Sequence, residues 1–89
     1  MTELPKPPKL AKRGGCWFSS GEVQIHLGVE QDFRPAKKAH PAFRCRNYDA
    51  LIARLQQAGI EAVADDNNSG VTRCYIQDPF GNRIELIRS

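Results

Sequence analysis

At 89 residues, 40% hydrophobic and 26% charged, the chain has the size and balance of one small globular domain, able to bury a core but of modest stability unless it oligomerises. Its net charge of +3 is unevenly spread, nine Lys/Arg against four Asp/Glu in residues 1–46 and four against six in residues 47–89. The bases are scattered among prolines rather than aligned on a helix or interleaved with aromatics, which argues against a nucleic-acid surface.

No apolar run approaches the roughly 18 residues of a membrane span, and no signal-peptide core is present. Cys16, Cys45 and Cys74 are odd in number and lack CxxC spacing, so they form neither a disulfide framework nor a thiolate zinc site. Reduced thiols and a cytoplasmic location are the simplest expectation.

Residues 1–13, MTELPKPPKLAKR, carry three prolines that exclude helix and central strand, leaving an edge strand or extended arm. Gly14-Gly15 marks a turn, Cys16-Trp17-Phe18 a short strand, and Ser19-Ser20-Gly21-Glu22 a hairpin loop. The next strand alternates with period two. Val23, Ile25, Leu27 and Val29 point one way, and Gln24, His26 and Gly28 the other. Glu30 to Lys38 is a polar connection, and His40-Pro41-Ala42-Phe43-Arg44-Cys45 a further strand with His40, Ala42 and Arg44 on one face.

The only expected helix follows, near residues 48–58. Asn47 suits its N-cap, Asp49 its first turn and Gly59 its C′ position; Leu51, Ile52, Leu55 and Ala58 form its apolar stripe. Ile60 to Ala64 reads as a strand and residues 65–70 as a loop. Arg73 to Arg88 then reads as a β-hairpin turning at Asp78-Pro79-Phe80-Gly81-Asn82, where Pro79 presets φ and Gly81 supplies a positive one. Glu85 interrupts the apolar return strand, so it needs a cation, a metal or water. The second half is thus strand, helix, strand, strand, strand, and the first half shows only the last strands of such a unit.

Gln24 or His26, His40 and Glu85 lie on three different strands. Imidazole nitrogens with amide or carboxylate oxygens suit Zn²⁺, Ni²⁺, Fe²⁺ or Mn²⁺. Taken singly, a His or Gln on a strand face is more often a solvated polar group than a metal ligand.

WFSSGEVQIHLGVEQDFRPAKKAHPAF, a helix ending LQQAG, and RCYIQDPFGNRIELI together resemble the vicinal oxygen chelate superfamily, which includes glyoxalase, bleomycin-resistance, fosfomycin-resistance and extradiol-dioxygenase proteins. The resemblance covers residues 14–89 and is most specific in DPFGNRIEL. It implies an α+β fold of βαβββ modules, with residues 14–30 the remnant of a first module and 39–89 a second. By position it assigns Gln24, with His26 two residues on, His40 and Glu85 as metal ligands. The family's first strand and first helix, which would precede Leu4, and the fourth ligand position with them, have no counterpart here. That implies a truncated reading frame or a wall supplied by another chain, and an expected homodimer.

The chemistry implied is that of a glyoxalase-like lyase or isomerase, or a dioxygenase. A small oxygenated substrate would chelate the metal through two oxygens, and Glu85 would also take up a proton. Arg34, Lys37, Lys38 and Arg73 are candidates for a substrate carboxylate or phosphate. The alternative is a metal-free binder of the bleomycin-resistance type, in which Trp17, Phe18, Phe43, Tyr75 and Phe80 wall a flat ligand.

Overall fold

The computed structural model describes residues 1–65 and 70–89, in two units, Met1–Phe33 and Arg34–Ser89. Asp66 to Ser69 of the expected 65–70 loop lie outside the described residues. No described helix is long and apolar enough to cross a membrane.

In the first unit, β1 (Thr2–Leu4), β2 (Cys16–Ser20) and β3 (Val23–Leu27) form an antiparallel sheet in that order. Pairing of Trp17 with His26, Phe18 with Ile25 and Ser19 with Gln24 sets the register. Side chains alternate across a strand, so Trp17, Ser19, Gln24 and His26 share one face while Phe18, Val23, Ile25 and Leu27 share the other. Val23 and Leu27 are each 48% exposed.

The expectation of no helix before Gly14 is corrected here. Pro8–Ala11 is a one-turn helix, α1, with proline at its start. The first helical position has no intrahelical use for an N–H, so proline there costs nothing. The hairpin loop is also shorter than expected: Ser19 and Ser20 belong to β2, and only Gly21-Glu22 turn. Gly15 cannot be replaced by a larger residue. It has φ +80, and a Cβ on it would sit 2.1 Å from the Leu27 carbonyl oxygen.

The second unit runs β4 (Ala42–Cys45), α2 (Tyr48–Gln57), β5 (Val63–Ala64), β6 (Arg73–Gln77), β7 (Arg83–Arg88), the expected βαβββ order. Its sheet is ordered β4-β7-β6-β5, with β4 parallel to β7 and the other pairs antiparallel. The β6–β7 turn forms as read. Gly81 N–H donates to the Asp78 carbonyl (3.1 Å), and Asp78 N–H to that of Asn82 (3.0 Å). Gly81 has φ 88, which brings the chain back into β7. Asp78 Oδ1 accepts from Phe80 N and Asn82 N, and Oδ2 from Asn82 Nδ2. Partial burial opposes ionisation of Asp78, but these bonds outweigh it and hold its carboxyl below the usual range.

One face of this sheet packs on α2. Tyr48, Cys74 and Leu86 are buried, with Phe43, Cys45, Leu51, Ile52, Leu55, Ile76 and Ile84 around them. Ala58, expected in the stripe, is instead the exposed C-cap. Beyond it, Ile60 N–H reaches the Leu55 carbonyl and Gly59 N–H that of Gln56, the paired bonds of a Schellman ending. Asn47 occupies the N-cap position, yet its side chain makes no capping bond. Asp49, in the first turn, instead pairs with Arg88. The strand expected from Ile60 to Ala64 is confined to Val63–Ala64.

Burial of Tyr48 beside Cys74, with Asp49 adding to the effect and Arg88 opposing it, pushes its phenol up to about 12. The folded protein therefore holds this proton where the unfolded chain releases it. The stability is fully present below about pH 10 and is lost as pH rises toward 12. Urea midpoints measured across that window should fall for the wild type and fall less steeply for Tyr48→Phe.

Candidate functional site

The face of the second sheet turned away from α2 carries the polar chemistry. Register places Glu85 between Ala42 of β4 and Tyr75 of β6, with Arg73 two residues before Tyr75 and Arg83 two before Glu85 on the same face. Glu85 is only 6% exposed. A charge so placed must be paired. Its Oε2 accepts from Arg73 Nη1 at 3.0 Å, and its Oε1 stands 2.8 Å from His40 Nε2. Pro41 helps to hold the arrangement, its carbonyl accepting the Glu85 backbone N–H at 3.0 Å.

The orientation of His40 constrains what lies between it and Glu85. Its Nδ1 is 2.6 Å from the Lys38 carbonyl, and a carbonyl only accepts, so Nδ1 carries the hydrogen. In the neutral ring Nε2 then presents a lone pair toward a carboxylate oxygen. Two electron-rich atoms 2.8 Å apart need a proton shared between them in a hydrogen bond, which a metal ion bound by both atoms would displace. An imidazole that donates one N–H to a backbone carbonyl and offers the other nitrogen is the usual set of a metal-ligating histidine.

Tyr75 completes the cluster. Its ring meets His40 edge-on, 5.5 Å between centroids at 89°, and the Arg83 guanidinium lies 4.4 Å from its centroid. Its hydroxyl donates to Asp65 Oδ2 at 3.3 Å, while Arg73 Nε is 4.0 Å from the same oxygen. Burial, then the carboxylates of Glu85 and Asp65, push the Tyr75 phenol up, with Arg73 opposing; the hydroxyl stays a donor at neutral pH.

The second unit thus brings together four residues singled out in sequence: His40, Glu85, Arg73 and Tyr75. Arg34 is exposed, as are Lys37 and the Lys38 side chain. Phe43 belongs to the α2 side and packs against the core, and Phe80 is 74% exposed. In the first unit, Trp17 stacks flat on His26, 3.9 Å between centroids at 4°, and His26 Nε2 is 3.2 Å from Gln24 Oε1. Among the described residues no group of three or more His, Cys, Asp or Glu gathers as a metal cluster. His40 and Glu85 fit a metal in kind, as a two-donor set.

Sequence reading missed Asp65, taken as loop, and Arg83. The signal for Arg83 was available, since it shares period-two parity with Glu85 on one strand. Replacing Glu85 by Gln removes the charge that balances Arg73 in a half-buried setting. Glu85→Gln should lower unfolding free energy by about 1.5–3 kcal/mol, measured by urea titration.

Residues 3–86 match the family model of the Glyoxalase/Bleomycin resistance protein/Dioxygenase superfamily. Among solved structures, the chain is 52% identical to a glyoxalase family protein from Bacillus anthracis, with a TM-score of 0.92 over 100% of this chain and 73% of that one. It also resembles a genomically encoded fosfomycin resistance protein from Listeria monocytogenes, with 17% identity, a TM-score of 0.70, and 88% of this chain and 68% of that one covered. A lactoylglutathione lyase from Agrobacterium tumefaciens aligns at 18% identity and a TM-score of 0.66, over 99% of this chain and 75% of that one. The last two likenesses concern fold alone. No curated protein matches the chain.

Proposed function

The chain belongs to the glyoxalase/bleomycin resistance protein/dioxygenase superfamily, and from that membership we propose that it is a metal-dependent enzyme of the glyoxalase or dioxygenase type, acting on a small oxygenated substrate. The observation that carries this reading is the His40–Glu85 pair. Its Nε2 and Oε1 face each other at 2.8 Å, with Nδ1 tied to the Lys38 carbonyl. A bound divalent ion such as Zn²⁺, Ni²⁺, Fe²⁺ or Mn²⁺ would be held by these two atoms and would supply Lewis acidity toward two neighbouring substrate oxygens. Gln24 and His26 are the further ligands that the family pattern suggests.

The protein's own residues have separate tasks in this proposal. Glu85 is the group that holds or moves a proton at the substrate carbon or oxygen. Arg34 favours an anionic substrate group, whereas Arg73, expected to do the same, already faces the carboxylates of Glu85 and Asp65. Tyr75, between His40 and Arg83, and Trp17 offer ring surfaces to the rest of the ligand. The free thiols Cys16, Cys45 and Cys74 accord with a reducing, cytoplasmic setting.

Metal content of protein purified without chelator or histidine tag tests the proposal. Near-stoichiometric divalent metal is expected, and His40→Ala should abolish binding of added Zn²⁺ or Ni²⁺ while leaving the protein folded. Wild-type protein that takes up no divalent ion overturns the enzyme reading in favour of a metal-free small-molecule binder resembling the bleomycin-resistance proteins.

A homodimer is part of the same proposal. Val23 and Leu27 are each 48% exposed and Val29 73%. Covering such side chains is worth about 1.5–3 kcal/mol each, a large share of the stability of a small domain. A second copy supplies that cover through a twofold axis. Sedimentation at micromolar concentration should show a dimer; a folded monomer would remove this part.

A further inference from the structure

The two oxygens of Glu85 are divided between partners. Oε1 faces His40 Nε2 at 2.8 Å, and Oε2 accepts from Arg73 Nη1 at 3.0 Å. The Glu85 side chain is 8% exposed and that of Arg73 25%, so this ion pair is shielded from solvent. On its other edge Arg73 faces Asp65, its Nε being 4.0 Å from Oδ2, the oxygen to which Tyr75 donates at 3.3 Å. The guanidinium therefore lies between two carboxylates, hydrogen-bonded to Glu85 and within ion-pair range of Asp65, and its planar fork fixes direction as well as charge.

From this division we infer that Arg73 is a positioning residue that locks the second oxygen of Glu85, so that the carboxylate presents one oxygen to the cation it shares with His40. The inference rests on reading His40 and Glu85 as a cation-binding pair. A terminal carboxylate torsion is broad and soft. Without Arg73, Glu85 is free to swing and to offer both oxygens. Holding it to one oxygen leaves a position at the cation for a substrate atom, and Asp65 and Tyr75 become the outer supports of that choice. Groups outside the first ring of ligands commonly change metal affinity by about 10–100-fold when removed.

The test uses Arg73→Ala and Arg73→Lys with Co²⁺ as the probe. In Arg73→Ala, Co²⁺ affinity measured by competition with a chromophoric chelator should fall by about 10–100-fold. The visible cobalt bands should also weaken as Glu85 takes a second coordination position. Lysine keeps the charge but not the fork, so Arg73→Lys should recover affinity only in part and should leave the bands altered; if the alanine variant does not fold, this variant decides alone. Crystal structures of the metal-free wild type and variants give an independent reading, in which loss of Arg73 should turn the carboxylate and lengthen the 2.8 Å Oε1–Nε2 separation. Unchanged cobalt affinity and bands with an unmoved carboxylate overturn the inference. Should the wild type bind no cobalt, the metal reading fails by itself. The metal-free structures then decide the role of Arg73, a turned carboxylate upholding it and an unmoved one overturning it.

Discussion

Glu85 carries a carboxylate into an interior strand of a four-stranded sheet and leaves only 6% of its surface to solvent. The polar face of the second unit is arranged around the need to balance that charge. Arg73 on the neighbouring strand takes one oxygen and His40, just ahead of β4, meets the other. Among the described residues no buried side-chain nitrogen or oxygen lacks a partner. Ala42, opposite Glu85 in the register, is small enough to leave room for this convergence. Each partner restricts the other, because removing one leaves a shielded charge without compensation.

The two faces of the sheet divide the labour. Cys74, Ile76, Ile84 and Leu86 pack toward α2, and their alternates Arg73, Tyr75, Arg83 and Glu85 form the polar cluster. The same hairpin thus anchors the core with one set of residues and builds the site with the other. A slip of one residue in the β6–β7 register would exchange the sets. The Asp78-centred turn, with three bonds to the Asp78 carboxylate, guards against that slip.

Much of this was legible in the sequence, for identifiable reasons. Pro79 and Gly81 define a turn whose geometry fixes the hairpin, and Asp49, Leu51, Leu55 and Gly59 mark a helix with its end. Pro8 misled because proline was read as a breaker, whereas at the start of a helical turn its missing N–H is not needed. Asn47 has the right chemistry for a cap, but its side chain is not used for one. That Glu85 needed a partner was also readable. Which partner it finds was not, because only the pairing of Tyr75 with Glu85 and Arg73 with Ile87 brings Arg73 within reach. Asp65 was harder still, since it enters the cluster from the end of a two-residue strand.

The parallel pairing of β4 with β7 has a kinetic consequence. Parallel strands cannot be joined by a tight turn, and His40 meets Glu85 across a sequence separation of 45 residues. The entropy of closing that loop is spent before the pairing returns anything. The α2 helix and the β6–β7 hairpin are local and can form first. The segment carrying His40 and β4 must close the longer loop to pair with β7. During synthesis, this pair of side chains meets only after residues 83–88 have left the ribosome. Ordering of the site is thereby tied to the β4–β7 pairing, the contact of this unit with the larger closure cost.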